Sequence, residues 1–243
     1  MDALYRGVGF NGGYGPDSRE FECLGNSAEV GVNLLLQPSD KDTILWSGGP
    51  NNNYGSLARI NLHDRETIAS TTGSERILIA FDISAIPVGS EILAAALAIY
   101  YDAYATPAPD ADPAGKILRA YKCTRTDWVE SEATWNSYKS GNSWTDAGGD
   151  YVTSGPEGAS LTVPSSIDVW LNFDVTAIVQ NAVDALSNAH FIIKFETEGL
   201  TTNTGYILSH SSDYATNTAL RPKMLISYRP RGMGKVHVLG GGP

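Results

Sequence analysis

The fold of this chain follows from the stretch Glu75–Tyr101, which reads ERILIAFDISAIPVGSEILAAALAIYY. Apolar residues alternate along both halves, and this two-residue period predicts β-strands with one face turned to a core. The alternating residues are Ile77, Ile79, Phe81 and Ile83, and then Leu93, Ala95, Leu97 and Ile99. Pro87 and Gly89 between the halves are turn residues. Alanine favours a helix over Glu91–Tyr101, but the turn before this segment and the tyrosines at its end favour a second strand.

The composition indicates an all-β protein and excludes several partners. The 25 glycines, 12 prolines and 12 tyrosines among 243 residues are typical of a domain with many turns. A net charge of -10 argues against nucleic acid, because phosphate binding needs clustered Lys and Arg. There is no apolar run of about 18 residues, so no membrane insertion is predicted. The N-terminus, MDALYRGVGFNGGYG, lacks the pattern of a secretory signal.

The periodic segments divide the chain into a central domain and two arms. We predict a jelly-roll-like antiparallel β-sandwich over residues 42–228, with one short helix at about 174–186. Further strands are predicted at Asp42–Trp46, Lys116–Arg125, Trp170–Asp174, His190–Glu196, Gly205–Ser209 and Lys223–Tyr228. Residues 1–41 and 229–243 form extended, glycine-rich arms. We expect these arms to contact copies of the chain or other subunits of an assembly, for example by adding a strand to a sheet edge.

Two aspartates occupy equivalent places in a repeated motif, Phe81-Asp82-Ile83-Ser84 and Phe173-Asp174-Val175-Thr176. In each copy a strand ends at an aspartate that can accept hydrogen bonds from backbone N–H groups just beyond it. We interpret Asp82 and Asp174 as structural caps, with Asp174 as the N-cap of the helix.

Residues 48–56, GGPNNNYGS, form a loop with two interpretations. Asn and Gly are typical of a series of β-turns. The same residues could form an oxygen-rich calcium site with Asp42 and Asn53 as ligands. Structural calcium is therefore the one cofactor considered, and none is required.

The segment 127–151, DWVESEATWNSYKSGNSWTDAGGDY, is the most aromatic part of the chain. Aromatic rings can cover the apolar faces of sugars, with amides and carboxylates at the rim. The predicted glycan-binding patch is Asn142, Trp144, Asp146 and Tyr151. The alternative is that the tryptophans hold a long loop against the sandwich. We favour this alternative for Trp135 and expect Trp144 to be more exposed.

The remaining reactive residues give no active site. Cys23 and Cys123 can form a disulfide or remain free thiols. The histidines His63, His190, His210 and His237 are scattered, and His190 within a strand is typical of a core histidine. No nucleophile elbow, zinc-protease motif or P-loop is present. We therefore predict no catalytic residues.

The chain resembles the DNRLRE domain over about Asp42–Tyr228. The motifs of the first half are Arg76-x-Leu78-x-x-Phe81-Asp82, Gly89-x-x-Ile92 and Ala95-x-Leu97-x-Ile99-Tyr100. Those of the second half are Trp128-x-Glu130-x-Glu132-Ala133-Thr134-Trp135-Asn136, Phe173-Asp174-Val175-Thr176 and Arg221-Pro222-Lys223-Met224-Leu225-Ile226-Ser227-Tyr228. The resemblance implies a sandwich of carbohydrate-binding-module type, mostly non-catalytic and found in exported or cell-surface proteins.

Three functions are consistent with these features. The favoured one is a structural or adhesive subunit exposed on a large assembly, most simply a phage virion protein such as a decoration, fibre or tail component. A secreted or cell-surface carbohydrate-binding module is the alternative, and the two can coincide. A polysaccharide-degrading enzyme is the third and is the least supported. The first two place the protein outside a particle or cell, with polysaccharide as a possible partner.

Overall fold

The computed structural model describes residues 31–66, 72–104, 112–154 and 158–231. These residues form thirteen strands, the helix α1 and one short 3₁₀ turn. The strands are β1 (Val32–Leu36), β2 (Lys41–Trp46), β3 (Arg59–His63), β4 (Glu75–Phe81), β5 (Glu91–Tyr104), β6 (Ile117–Lys122), β7 (Ser137–Lys139), β8 (Asn142–Ser143), β9 (Gly158–Thr162), β10 (Val169–Asp174), β11 (Ala189–Phe195), β12 (Tyr206–His210) and β13 (Lys223–Arg229). The helix spans Thr176–Asp184 and the 3₁₀ turn Thr218–Leu220.

The predicted all-β architecture is confirmed. A curled antiparallel sheet runs in the order β1-β13-β5-β12-β3-β4-β11-β6-β9, with β10 added to β5 and β2 added to β4. The strands β4 and β5, predicted from the central stretch, each have three partners. The long strand β5 pairs with β13 through Glu91–Ala98 and with β12 through Tyr101–Tyr104, so one strand serves two parts of the sheet.

The main core lies between the two layers of the sandwich. Its members include Ile77, Ile79 and Phe81 from β4, and Leu97 and Ile99 from β5. The helix α1 closes one end, because its buried face of Ile178, Val179, Ala182 and Val183 packs on this core.

A second core covers the outer face of β2, β4 and β11. Leu45, Leu78, Ala80 and Ile192 point to this side, where Trp128, Tyr138 and Trp144 pack over them. Strand β4 is therefore buried on both faces, as its apolar character predicts.

The two repeated aspartates make equivalent turns. The Asp82 carboxylate accepts from the Ser84 N–H at 2.8 Å, and the Asp174 carboxylate accepts from the Thr176 N–H at 3.1 Å. The hydrogen bond from the Ser84 N–H lowers the pKa of Asp82. The pKa of Asp174 is lowered first by a hydrogen bond from the Thr176 hydroxyl and then by the one from the Thr176 N–H. The N-cap of α1 is Val175, so the prediction that Asp174 is the N-cap is wrong by one residue, although Asp174 still binds the first turn.

The described ends of the chain belong to the sheet. Strand β1, within the predicted arm 1–41, pairs with β13 over five consecutive residues. Residues 1–30 and 232–243, which hold the rest of both arms and Cys23, lie outside the described residues, while Cys123 is a buried free cysteine. Among the described residues, no helix could span a bilayer.

Candidate ligand-binding surface

The aromatic segment 127–151 does not form the predicted glycan-binding patch. Trp144 is only 5% exposed, so the expectation that it is more exposed is wrong. Its ring packs on Tyr138 at 5.6 Å, and its Nε1 donates to the Thr134 carbonyl at 2.8 Å. The loop folds its apolar rings inward because the outer face of β2, β4 and β11 is itself apolar.

The other three residues of the predicted glycan-binding patch do not supply a fully exposed ring in place of the buried Trp144. Tyr151 is half-buried and packs against Tyr121, with 4.9 Å between ring centroids. Asn142 and Asp146 are exposed, and Asn142 donates to the carbonyl of Ser140. As favoured for Trp135, this ring holds the loop to the sandwich: it is partly buried and the Arg76 guanidinium lies 4.6 Å from its centroid.

The residues predicted to bind calcium are engaged in bonds within the protein. Asp42 is buried, and its Oδ2 accepts from the Ser39 hydroxyl and the Ser212 N–H. The Asn53 amide donates to the carbonyls of Glu130 and Ala133. In the described ranges, no group of three or more His, Cys, Asp or Glu could hold a metal ion. These contacts favour the β-turn interpretation of residues 48–56.

His190 is a core histidine, as its place in a strand indicates. Its Nδ1 accepts from the Trp128 Nε1 at 3.0 Å. Burial lowers the pKa of His190 to about 4, and the nearby Lys41 ammonium contributes in the same direction. The imidazole is therefore neutral at pH 7, which is the state that can accept from the indole.

A different group of aromatic residues lines up across neighbouring strands. Trp170 on β10 lies opposite Tyr100 on β5, and their ring centroids are 5.3 Å apart. On the next strand the His210 ring is parallel to Tyr100 at 6.0 Å, and Tyr214 stacks on His210 at 3.6 Å. We call Trp170, Tyr100, His210 and Tyr214 the aromatic row. Trp170, Tyr100 and Tyr214 are each partly exposed.

Polar side chains border this row. Arg59 on β3 lies opposite His210 and donates to the Asp102 carboxylate at 2.6 Å. The Lys223 ammonium lies 3.6 Å from the centroid of the Trp170 ring. Hydrogen-bond donors and acceptors therefore lie beside partly exposed rings. This composition is expected of a site for a ligand that has both polar groups and apolar faces.

His210 is the buried member of the row. Its side chain is almost fully buried between Tyr100 and Tyr214, and neither ring nitrogen has a hydrogen-bond partner among the described residues. Burial lowers the pKa of His210, opposed by Asp102, whose Oδ1 lies 3.6 Å from Nε2, and reinforced by Arg59. A neutral His210 belongs to the aromatic row through the stacking of its ring on Tyr214 and its parallel contact with Tyr100.

A second aromatic pair lies further along the same strands. Tyr206 on β12 and His63 on β3 are paired residues whose rings stack at 4.7 Å. They follow the His210–Arg59 pair by four residues, which corresponds to about 13 Å along the strands. A ligand that contacts both places must therefore be an extended molecule.

Glu75 lies beside the second pair and has an unusual environment. Tyr206 and Asn61 hydrogen bond to its carboxyl group, but burial dominates and raises the pKa of Glu75 to about 7. The same buried setting lowers the pKa of His63 to about 4. A carboxyl group of this kind is a common sign of function, so Glu75 needs its own test.

Sequence reasoning missed the aromatic row because its members are far apart along the chain. Residues 100, 170 and 210 come together only through the pairing of β5 with β10 and β12. The one local signal was alternation in the strand β3, where Arg59, Asn61 and His63 alternate with the core residues Ile60 and Leu62.

Comparison with known proteins gives a family. Residues 60–226 match the Disaggregatase related repeat domain, which covers more than half of the chain and runs from β3 into β13. None of the curated proteins matches the chain. The chain therefore belongs to the Disaggregatase related repeat domain family, and its resemblance to the DNRLRE domain stays a prediction.

Proposed function

We propose that this member of the Disaggregatase related repeat domain family is a non-catalytic carbohydrate-binding module. The observation that carries the proposal is the aromatic row, in which Trp170 and Tyr100 on paired strands, and Tyr214 just beyond β12, are each partly exposed. The rings supply apolar area, and the Arg59–Asp102 pair supplies a donor and an acceptor next to it.

The shape of the surface favours a polymer over a small molecule. The aromatic row and the Tyr206–His63 pair lie about 13 Å apart along β3 and β12. An extended polysaccharide can contact both, whereas a single sugar can contact only one. The net charge of -10 also argues against a nucleic acid as the polymer.

The family description bears on the expected affinity. It names a repeat, and repeated copies of a weak binding domain gain affinity through multivalency. A single copy is therefore expected to bind weakly.

The location of the protein remains part of the proposal. A polysaccharide partner favours a place on the outside of a cell or particle. The narrower prediction of a phage virion subunit depends on the terminal arms, most of which lie outside the described residues. It stays a prediction.

A binding screen with two variants of the aromatic row and one control variant tests the proposal. The wild-type chain is mixed with insoluble cellulose, chitin and xylan, and run in gels that contain soluble glucans, mannans and pectins. We expect retention by at least one polymer, and a loss of about tenfold or more in affinity for Trp170→Ala and Tyr100→Ala, because each removes a stacking surface.

The control for this screen is Tyr121→Ala. Tyr121 on β6 is also a partly exposed aromatic residue, but it is not a member of the aromatic row. Its ring packs against Tyr151 instead. Its binding should equal that of the wild type. Absence of binding to every polymer, or an equal loss in Tyr121→Ala, would reject the aromatic row as the site.

Glu75 provides the test of the enzymatic alternative. Its buried carboxyl group has the raised pKa that a general acid requires. If the chain cleaves any bound polymer and Glu75→Gln abolishes this cleavage, the non-catalytic part of the proposal is wrong. We expect no release of reducing ends or unsaturated products from either protein.

A further inference from the structure

Strand β1 ends the sheet with an unprotected apolar edge. No described strand pairs with its outer side, because β1 is the first strand of the sheet order. Its sequence, Val32–Leu36, contains neither a charge nor a proline, the residues that usually protect such an edge. By contrast, β10, which pairs with β5 alone, has Asn172 and Asp174 at exposed positions.

The apolar character continues from β1 across the neighbouring strands. Leu35 is 57% exposed and lies opposite Leu225 on β13, which is 46% exposed. Leu93 is also exposed, and it lies on the same face as Leu35 and Leu225, whereas Val32 points to the other face of the sheet. Leu35, Leu93 and Leu225 line one open groove of about 650 Å³. We call Leu35, Leu93 and Leu225 the β1 patch.

We propose that the β1 patch is the interface between two copies of this chain. An edge strand can pair antiparallel with the same strand of a second copy across a two-fold axis, which makes the contact self-complementary. Pairing centred on Leu34 places Asn33 of each copy opposite Leu35 of the other. The Leu35 side chains of both copies then become diagonal neighbours on one face of the joined sheet.

The charge distribution favours a copy over a partner recognised by charge. The chain has a net charge of -10, yet the centre of the patch is uncharged. At one end, Glu91 and Arg229 neutralise each other at 2.7 Å. At the far rim, the Asp174 carboxylate is exposed and accepts hydrogen bonds from Thr176, which leave its charge in place. The apolar centre of the patch offers a basic partner no acidic group, whereas an identical patch matches this apolar centre and leaves the Asp174 carboxylates at the rim.

The expected dimer is weak and depends on salt. A pair of five-residue strands with three exposed leucine side chains per copy is smaller than a standard interface of about 800 Å² per partner. The negative charge of each copy opposes association over distance, and salt screens this repulsion. The dimer should therefore dissociate on dilution and become more stable at higher ionic strength.

Sedimentation velocity of the full chain over a dilution series tests the proposal. Wild type should shift from dimer to monomer as it is diluted. Leu35→Lys and Leu225→Lys should raise the dissociation constant by about tenfold or more, because they bury an unpaired ammonium group. The matched control is Leu57→Lys, because Leu57 is 45% exposed but lies outside the patch. It should dimerise like the wild type.

Hydrogen exchange gives an independent measurement on the same proteins. The backbone amides of β1 should exchange more slowly in concentrated than in dilute wild-type protein, and this difference should vanish in Leu35→Lys. A chain that is monomeric at every concentration would overturn the proposal, including the case in which its own termini cover the patch. A dimer that Leu35→Lys and Leu225→Lys leave unchanged would also overturn it, because another surface would then be the interface.

Discussion

The protein uses aromatic side chains in opposite ways in two regions. In the segment 127–151 they are close in sequence, and Trp128, Tyr138 and Trp144 are buried over the outer face of β2, β4 and β11. In the aromatic row they are far apart in sequence, and Trp170 and Tyr100 remain partly exposed on paired strands. A high local density of aromatic residues therefore indicated a second core, and the open surface depends on strand register.

The largest expected effect is the loss of a ring from the covered region. Trp128 is 1% exposed, so Trp128→Ala should lower the free energy of unfolding by about 3–5 kcal/mol, through lost contacts and the cavity that remains. Chemical denaturation measures this value. Trp170→Ala should cost well under half as much, and equal losses would mean that the two regions do not differ in burial as the structure indicates.

The second effect is a pH dependence that comes from the covered region. The folded pKa of His190 is about 4, below the ordinary value of 6.5, so the unfolded chain binds more protons between these values. The contribution of His190 to stability is therefore complete above pH 6.5 and falls as the pH decreases toward 4, by as much as about 3 kcal/mol.

The variant His190→Gln isolates this contribution, because glutamine can still accept from Trp128 but does not titrate in this range. Unfolding experiments at pH 7 and at lower pH should show a smaller loss in this variant than in the wild type. The comparison of variants is essential because Glu75 acts in the opposite direction: its pKa is raised from 4.5 to about 7, so its contribution is lost as the pH rises through 7. Equal slopes in both proteins would contradict the assignment to His190.

The third effect concerns how the covering loop is held. Gly148 has a φ of +90°, and a Cβ there would lie 2.8 Å from the Trp135 ring. Gly148→Ala should therefore lower the free energy of unfolding by about 2 kcal/mol or more. At Gly141 φ is also positive, but a Cβ would meet nothing within 4 Å, so Gly141→Ala should cost about 1 kcal/mol. Thermal or chemical denaturation of both variants separates contact from backbone strain.

The smallest effect concerns the polar side chains beside the aromatic row. Arg59→Ala should weaken polysaccharide binding by up to about 1 kcal/mol, because it removes one hydrogen-bond donor. The unfolding free energy should change little, since exposed ion pairs contribute at most about 1 kcal/mol. Arg119→Ala is the control, because Arg119 on β6 forms a similar exposed pair with Glu196. A binding loss in the control equal to that in Arg59→Ala would contradict the proposed site.

Periodicity predicted the fold because most strands are long enough to show it. The alternation in Glu75–Tyr101 predicted β4 and β5, and the helix predicted at about 174–186 corresponds to α1. The strands β7 and β8 have three and two residues, too few for a period to appear. The strand β3 shows a clear alternation of polar and apolar residues. It is short and directly follows the turn-rich loop 48–56, so it was not predicted from the sequence.

The aromatic row was beyond such reasoning for a different reason. Trp170 and Tyr100 are neighbours because of one register between β10 and β5, and a shift of one residue would turn either ring to the core. Burial of Trp144 was also hidden, because its neighbours Gly, Asn and Asp are polar, while the apolar surface that it covers comes from β2, β4 and β11.

The reactivity of the Cys123 thiol can report on the opening of the second core. It is buried beneath the segment 127–151, its Sγ contacts the Arg125 carbonyl, and burial raises its pKa to about 12. Alkylating reagents attack the thiolate, so this sulfur is inert near neutral pH while it stays covered. In a Cys23→Ser chain, the rate of alkylation would measure how often the segment 127–151 separates from the sheet, and no attached probe would be needed.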